Sequence, residues 1–142
     1  MPDDLDELVE VYTSSRAAAP MPPPVHGLEA IREWLGVKLL APAPEEEVWV
    51  AEVAGAVVAY VAFTRTWLDD LYVAPASQGS GLGTALLDLV RSLRTGGFSL
   101  WVFESNRPAR AFYAARGLVE REHTDGSENE ERTPDLRMEY VP

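Results

Sequence analysis

The stretch from Trp67 to Leu93 constrains this chain most. Trp67 to Val73 is a short apolar and β-branched run, Pro75 ends it, and Gly79, Gly81 and Gly83 follow. The spacing of Leu82, Leu86, Leu89 and Leu93 then predicts a helix that stops at Gly96-Gly97. The order is strand, glycine loop, helix. Glycine takes backbone angles that other residues resist. The start of a helix leaves backbone N–H groups without intrahelical partners at the positive end of its dipole. Together they make an anion site, best suited to phosphate.

Spacing narrows the ligand. The dinucleotide fingerprint Gly-x-Gly-x-x-Gly fails, because its last position is Thr84 when counted from Gly79 and Leu86 when counted from Gly81. The P-loop also fails, since the loop has no lysine. What stands here is Gln78-x-x-Gly81-x-Gly83. Taken alone, a merely tight strand-to-helix turn would account for it. Downstream, Leu100 to Asn106 reads as a second strand, with Asn106 as helix N-cap, Pro108 in the first turn and Gly117 at the exit. Asn106, Ala109 and Tyr113 keep the spacing Asn-x-x-Ala-x-x-x-Tyr. The two signatures, in this order, resemble the acyl-coenzyme A loop and the following strand–helix of the GNAT superfamily of N-acetyltransferases. The resemblance covers the chain well from about Glu47 onward, and before that only in general layout.

The resemblance implies a mixed α/β (α+β) GNAT fold, a central, mostly antiparallel twisted sheet that splays beside the glycine loop and is flanked by helices. It implies acetyl-CoA-dependent transfer to a primary amine of a small molecule or peptide, by direct attack in a ternary complex. The alternative of another class is a non-catalytic acyl-CoA-binding or interaction module; Tyr113 together with an acid near Asp69 distinguishes the enzyme. In the family a first strand precedes the first helix, whereas this chain starts almost at the helix cap. The first edge strand is therefore expected to be missing, or the chain truncated. The exposed edge would need covering, by the chain itself or by a second copy in a homodimer.

Composition bounds the rest. The chain has 142 residues, 46% hydrophobic, enough for one globular domain over 1–142. It has no cysteine, which excludes a disulfide framework, a Cys-based zinc site and a cysteinyl intermediate. Its only histidines are His26 and His123, so no metal site is expected. The net charge of -11 argues against nucleic acid as a partner and would steer in a cationic acceptor, although solubility alone would explain it. There is no apolar run of membrane-spanning length and no signal-like start, so the expectation is a cytoplasmic protein without membrane contact.

Along the chain, Leu5, Leu8, Val9 and Tyr12 predict a helix to about Arg16, capped by Asp3 or Asp4. Pro20 to Pro24 predict a loop, and Leu28, Ile31 and Leu35 a second helix. Strands at 48–53 and 57–63 flank Ala54-Gly55 as a hairpin. Further strands are expected at 67–73, 98–104, 118–123 and 135–141, with the polar stretch 124–133 as loop.

Backbone groups from Gly79, Ser80, Gly81, Leu82, Gly83 and Thr84, with Gln78, form the anion cradle. By the resemblance, the backbone of Leu71, Tyr72 and Val73 pairs with the pantetheine arm and the Val73 N–H meets the thioester carbonyl. Asn106 then contacts the same arm, or is only a helix cap; the two roles are compatible. Arg110 is either a phosphate ligand or part of a solvated helix face. Tyr113 matches the family's acid for the leaving thiolate, against the alternative of a core aromatic. Strand alternation puts Asp69 with Leu71 and Val73, opposite Asp70, so Asp69 is the preferred base, and a bulge would change that parity. Either Asp could also be a solvated strand end. His26 and Trp67 are weaker candidates for base and pocket wall.

Overall fold

Ala54 and Gly55 both take positive φ, 54° and 83°, the paired left-handed conformation that a tight hairpin turn favours. They join β1 (Glu47–Val53) to β2 (Ala56–Phe63) in the computed structural model of this chain. The structure describes residues 2–142, with the side chains of residues 2–4, 39 and 40 left aside. β2 pairs antiparallel with β3 (Leu68–Val73) on its other side. This first sheet has the order β1-β2-β3. A second antiparallel sheet is built from β4 (Phe98–Phe103), β5 (Leu118–His123) and β6 (Asp135–Tyr140), in the order β4-β6-β5.

The two sheets are stitched at one point. Trp67 and Ser99 form a parallel bridge, and the Ser99 N–H donates to the Thr66 carbonyl at 2.9 Å. Beyond it β3 and β4 belong to separate sheets, so they part toward their C-terminal ends. That opening is where the glycine loop and Asn106 lie.

α1 (Pro2–Ala18) and α2 (Leu28–Leu40) cover one face of the first sheet. Leu8, Val11, Ile31 and Leu35 bury there against Tyr60 and Ala62. α3 (Leu82–Leu93) covers the other face and bridges both sheets, packing Leu86, Leu87 and Val90 with Val61, Phe63, Leu100 and Met138. Because β2 is buried on both faces, its sequence is a near-continuous apolar run rather than an alternating one. α4 (Arg107–Ala115) follows β4 at the open end.

The predicted elements all form, with shifts at their ends. α1 already contains Asp3 and Asp4 and runs past Arg16 to Ala18, so the two acids lie in its first turn instead of capping it. Leu28, expected on the packed face, is the first residue of α2 and is exposed. Pro75–Ser77 forms a single 3-10 turn. Among the described residues no strand pairs with the outer edge of β1, where Trp49 and Val53 are exposed. No described helix is long and apolar enough to cross a membrane.

Candidate active site

The pairing of β2 with β3 determines which backbone groups face the opening. The Ala74 N–H donates to the Val58 carbonyl at 2.8 Å, and Tyr72 pairs with Tyr60. Antiparallel ladders alternate, so Leu71 and Val73 turn their backbone groups away from β2, toward the gap with β4. The Val73 carbonyl accepts the Gln78 side-chain amide at 3.0 Å. That bond folds the glycine loop back onto β3 and leaves the Val73 N–H facing the gap.

Gly79 and Gly81 take φ of 82° and 88°, and a Cβ on either would meet no atom within 4 Å. Their glycines are needed for conformation, not space. Gly83 differs, since its φ is not positive and a Cβ there would sit in ordinary contact with the Phe112 ring at 3.4 Å. The N–H groups of Leu82, Gly83 and Thr84 occupy the first turn of α3, where no intrahelical partner is available. The Ser80 hydroxyl donates to the Ser77 carbonyl and tightens the turn.

Arg116 was not singled out from the sequence. Its guanidinium donates to Thr84 Oγ1 at 2.9 and 3.1 Å and lies over the Phe112 ring at 3.9 Å. It brings a positive charge to the first turn of α3. In the sequence it reads as a basic residue at the end of α4, where the helix dipole alone would justify it.

The opening is a cleft of about 590 Å³ that extends from Leu71 and Val73 along the glycine loop to Asn106, Tyr113 and Arg116. A second cavity of about 230 Å³ shares Leu71, Tyr72, Asn106 and Tyr113 with it and continues to Tyr12, Arg16, Asp69 and Asp70. Tyr113 therefore stands where the two meet. Burial, and to a lesser degree the Asp70 carboxylate, hold its phenol well above the ordinary value, so it is a proton-bearing donor at neutral pH. Asn106 caps α4, its Oδ1 accepting from the Ala109 N–H at 3.4 Å, while its Nδ2 faces Met21 Sδ at 4.0 Å. The amide is thus poorly engaged by the protein.

Arg110 is turned elsewhere. It pairs with Glu120 at 2.9 Å and donates to the Glu104 carbonyl at 3.0 Å, and it lines neither cavity. The solvated-face alternative describes it better than the phosphate role. Tyr72 sends its ring to the α1 face, against Tyr12 and Tyr60.

The two aspartates are separated by a bulge. Asp70 pairs with Ala62 and Leu68 with Phe63, so Asp69 is the extra residue. Asp70 follows Tyr72 to the α1–α2 face, where it is 8% exposed and sits 2.8 Å from Lys38 Nζ, itself 9% exposed. Glu46 lies 3.8 Å from the same ammonium. Burial raises the Asp70 carboxyl above its ordinary value, and Lys38 pulls it back. Asp69 stays more exposed and lines the second cavity. Desolvation is the largest influence raising its carboxyl, Lys38 lowers it, and Asp70 and Glu46 raise it further. His26 pairs with Glu130 at 3.1 Å on the surface and lines neither cavity. Trp67 stacks on Trp101 with centroids 6.1 Å apart.

The sequence profile of the Acetyltransferase (GNAT) family matches residues 8–118. The chain belongs to this family. Acetyl transfer is the activity that membership supports in general, and the mixed α/β fold with antiparallel sheets agrees with it. An uncharacterised N-acetyltransferase of Archaeoglobus fulgidus is 29% identical to this acetyltransferase over 153 residues, covering 90% of this chain and 95% of the relative. Solved structures with the same fold include two from bacteria and archaea. YjaB from Escherichia coli, in its apo form, superposes with a TM-score of 0.76 at 21% identity, covering 97% of this chain and 91% of its own. The PaiA N-acetyltransferase of Thermoplasma acidophilum, in complex with coenzyme A, gives 0.70 at 20% identity, covering 98% of this chain and 93% of its own.

Proposed function

We propose that this protein moves an acetyl group from acetyl-coenzyme A to a primary amine of a small molecule or peptide, by direct attack in a ternary complex. The observation that carries the reading is the meeting of the two cavities. Leu71, Asn106 and Tyr113 line both, with Val73 and the glycine loop along the first cavity and Asp69 along the second. The T. acidophilum relative in complex with coenzyme A supports the same ligand.

The residues fit that ligand. The N–H groups of Leu82, Gly83 and Thr84, with the Arg116 guanidinium nearby, would hold the diphosphate. The backbone of Leu71 and Val73 would pair with the amides of the pantetheine arm, and Asn106 Nδ2 would donate to the same arm. Acetyl-coenzyme A supplies an acetyl carbon activated as a thioester. The Val73 N–H would donate to the acetyl oxygen, whose charge grows as the amine attacks. As the C–N bond forms and the C–S bond breaks, Asp69 would take the proton of the amine, directly or through water. A carboxylate whose carboxyl is raised above its ordinary value is a stronger base than an unperturbed one. Tyr113 would donate a hydrogen bond to the departing sulfur. Ordinary values are about 10 for a phenol and about 8.5 for a thiol, and burial raises Tyr113 further. Full proton transfer is thus uphill, and Tyr113 acts as a donor to the thiolate.

The test is release of free coenzyme A thiol on incubation with acetyl-coenzyme A and a mixed amine panel, beside a thermal melt at millimolar acetyl-coenzyme A. Release above the amine-free control, with a raised Tm, is expected. A raised Tm with no release would favour the non-catalytic acyl-CoA-binding module. No shift in Tm would remove the ligand from the reading.

A further inference from the structure

Among the described residues two buried side-chain polar atoms lack a hydrogen-bond partner, Arg16 Nε and the Tyr60 hydroxyl. They differ in setting. Tyr60 is fully enclosed in the core. Arg16 is 7% exposed and lines the second cavity, beside Tyr12, Tyr72, Asp69 and Asp70.

The guanidinium is held on one side and slack on the other. Nη1 donates to the Tyr72 hydroxyl at 3.2 Å, and the group lies over the Tyr12 ring at 5.3 Å. Nη2 has only two distant acceptors, the Pro22 carbonyl and Glu131 Oε2, each at 3.5 Å. Nε has none. Arginine binds a carboxylate through two parallel N–H groups, and the Nε–Nη2 edge is one of the pairs that can do so. A buried arginine that served packing alone would have its donors satisfied. Here that pair is the one left poorly met, on a residue that lines the second cavity; Nε is closed to solvent as it stands, so a carboxylate in the cavity would have to take Nη2 from Glu131 and draw Nε toward it.

We infer that Arg16 anchors a carboxylate carried by the acceptor, so that the preferred acceptor bears both an amine and a carboxylate, as an amino acid does. The small cavity is complementary to such a zwitterion. Asp69 would face the amine near the junction, and the Arg16 edge would take the carboxylate. Net charge alone would have pointed to a purely cationic acceptor; the buried guanidinium adds the second requirement. This inference rests on the acetyl-transfer reading above.

The experiment compares matched acceptors with the full-length protein: phenylalanine against phenylethylamine, and leucine against isopentylamine. Coenzyme A release gives kcat and KM for each, and a melt with coenzyme A present gives binding without turnover. The parent should prefer each carboxylated member by about tenfold or more in kcat/KM, the scale of one charge-assisted contact. Arg16→Met should collapse that ratio toward one by raising KM for the carboxylated member, and Arg16→Lys should fall between. Glu131→Gln, which frees Nη2 of its distant carboxylate, should keep the preference. Equal use of both members by the parent, or equal losses on both in Arg16→Met, would overturn the inference. So would an Arg16→Met ratio matched by Glu131→Gln, which would mark Arg16 as a tether for the loop bearing Glu131. If neither member is acetylated, the acetyl-transfer reading fails while the melt still decides the inference. A Tm rise with phenylalanine in the parent, absent in Arg16→Met, supports it, and no rise in the parent overturns it.

Discussion

Removing Lys38 tests how the buried acid beside the candidate active site is held. Lys38 Nζ and the Asp70 carboxylate are 2.8 Å apart at 9% and 8% exposure, so neither charge has much water to turn to. Breaking such a pair by truncating one partner typically costs about 3–5 kcal/mol, because the other charge stays buried. For a chain of this size each kcal/mol moves Tm by about 2–4 °C, so Lys38→Met should lower Tm by roughly 6–20 °C. The sign with pH follows from Asp70. Its carboxyl is raised by burial even with Lys38 present. A raised folded-state value means that stability from this group is greatest at low pH and is lost as pH rises through that value. Without Lys38 the carboxyl should rise further, so the penalty of Lys38→Met should be largest near pH 7 and shrink as pH falls toward 5. Lys38→Met/Asp70→Leu should recover most of the loss, since an apolar replacement of both partners removes the buried charge altogether. Urea or thermal unfolding of the parent, Lys38→Met, Asp70→Leu and the double variant at both pH values measures the cycle. A Lys38→Met cost under about 1 kcal/mol at pH 7, or a cost that grows as pH falls, would refute the reasoning.

Tyr113→Phe keeps the ring and should still bind acetyl-coenzyme A, while kcat falls about a hundredfold, the low end of general-acid effects; full turnover with chemistry rate-limiting would make Tyr113 a packing residue. Because the Tyr113 phenol is raised above its ordinary value, the alkaline side of the kcat profile should show no loss from this group up to about pH 10. Asp69 is raised as well, so kcat/KM should climb through an acid limb above the ordinary carboxylate value of about 4, and a profile of Asp69→Asn should lack that limb. Arg116→Met should weaken acetyl-coenzyme A binding by about tenfold, read as a smaller Tm shift at fixed ligand and a weaker dependence on salt.

The local signals in this sequence were enough for the frame. Glycines at 79 and 81 stand where the backbone takes positive φ, and the leucines at 82, 86, 89 and 93 set the helix that follows. Ala54-Gly55 marks its hairpin for the same reason: a two-residue turn is a property of those two residues. The spacing of Asn106, Ala109 and Tyr113 on one short helix likewise survives in α4, since three and four residues bring side chains to one helix face.

What depends on the partner strand or on distant residues was decided by the tertiary structure. Strand alternation placed Asp69 with Leu71, but only the pairing of β3 with β2 shows the bulge that separates Asp69 from Asp70. Lys38 lies 32 positions from Asp70 and meets it through the packing of the fold alone. Arg16 and Tyr72 are 56 positions apart, and Arg116 reaches Thr84 across 32. Charges meet in space through packing that no local period records, and burial, which raises or lowers a proton's affinity, is a property of the surrounding shell rather than of the residue. The sequence alone therefore determined where the glycine loop and its helix lie; the fold decided which acids and bases surround them.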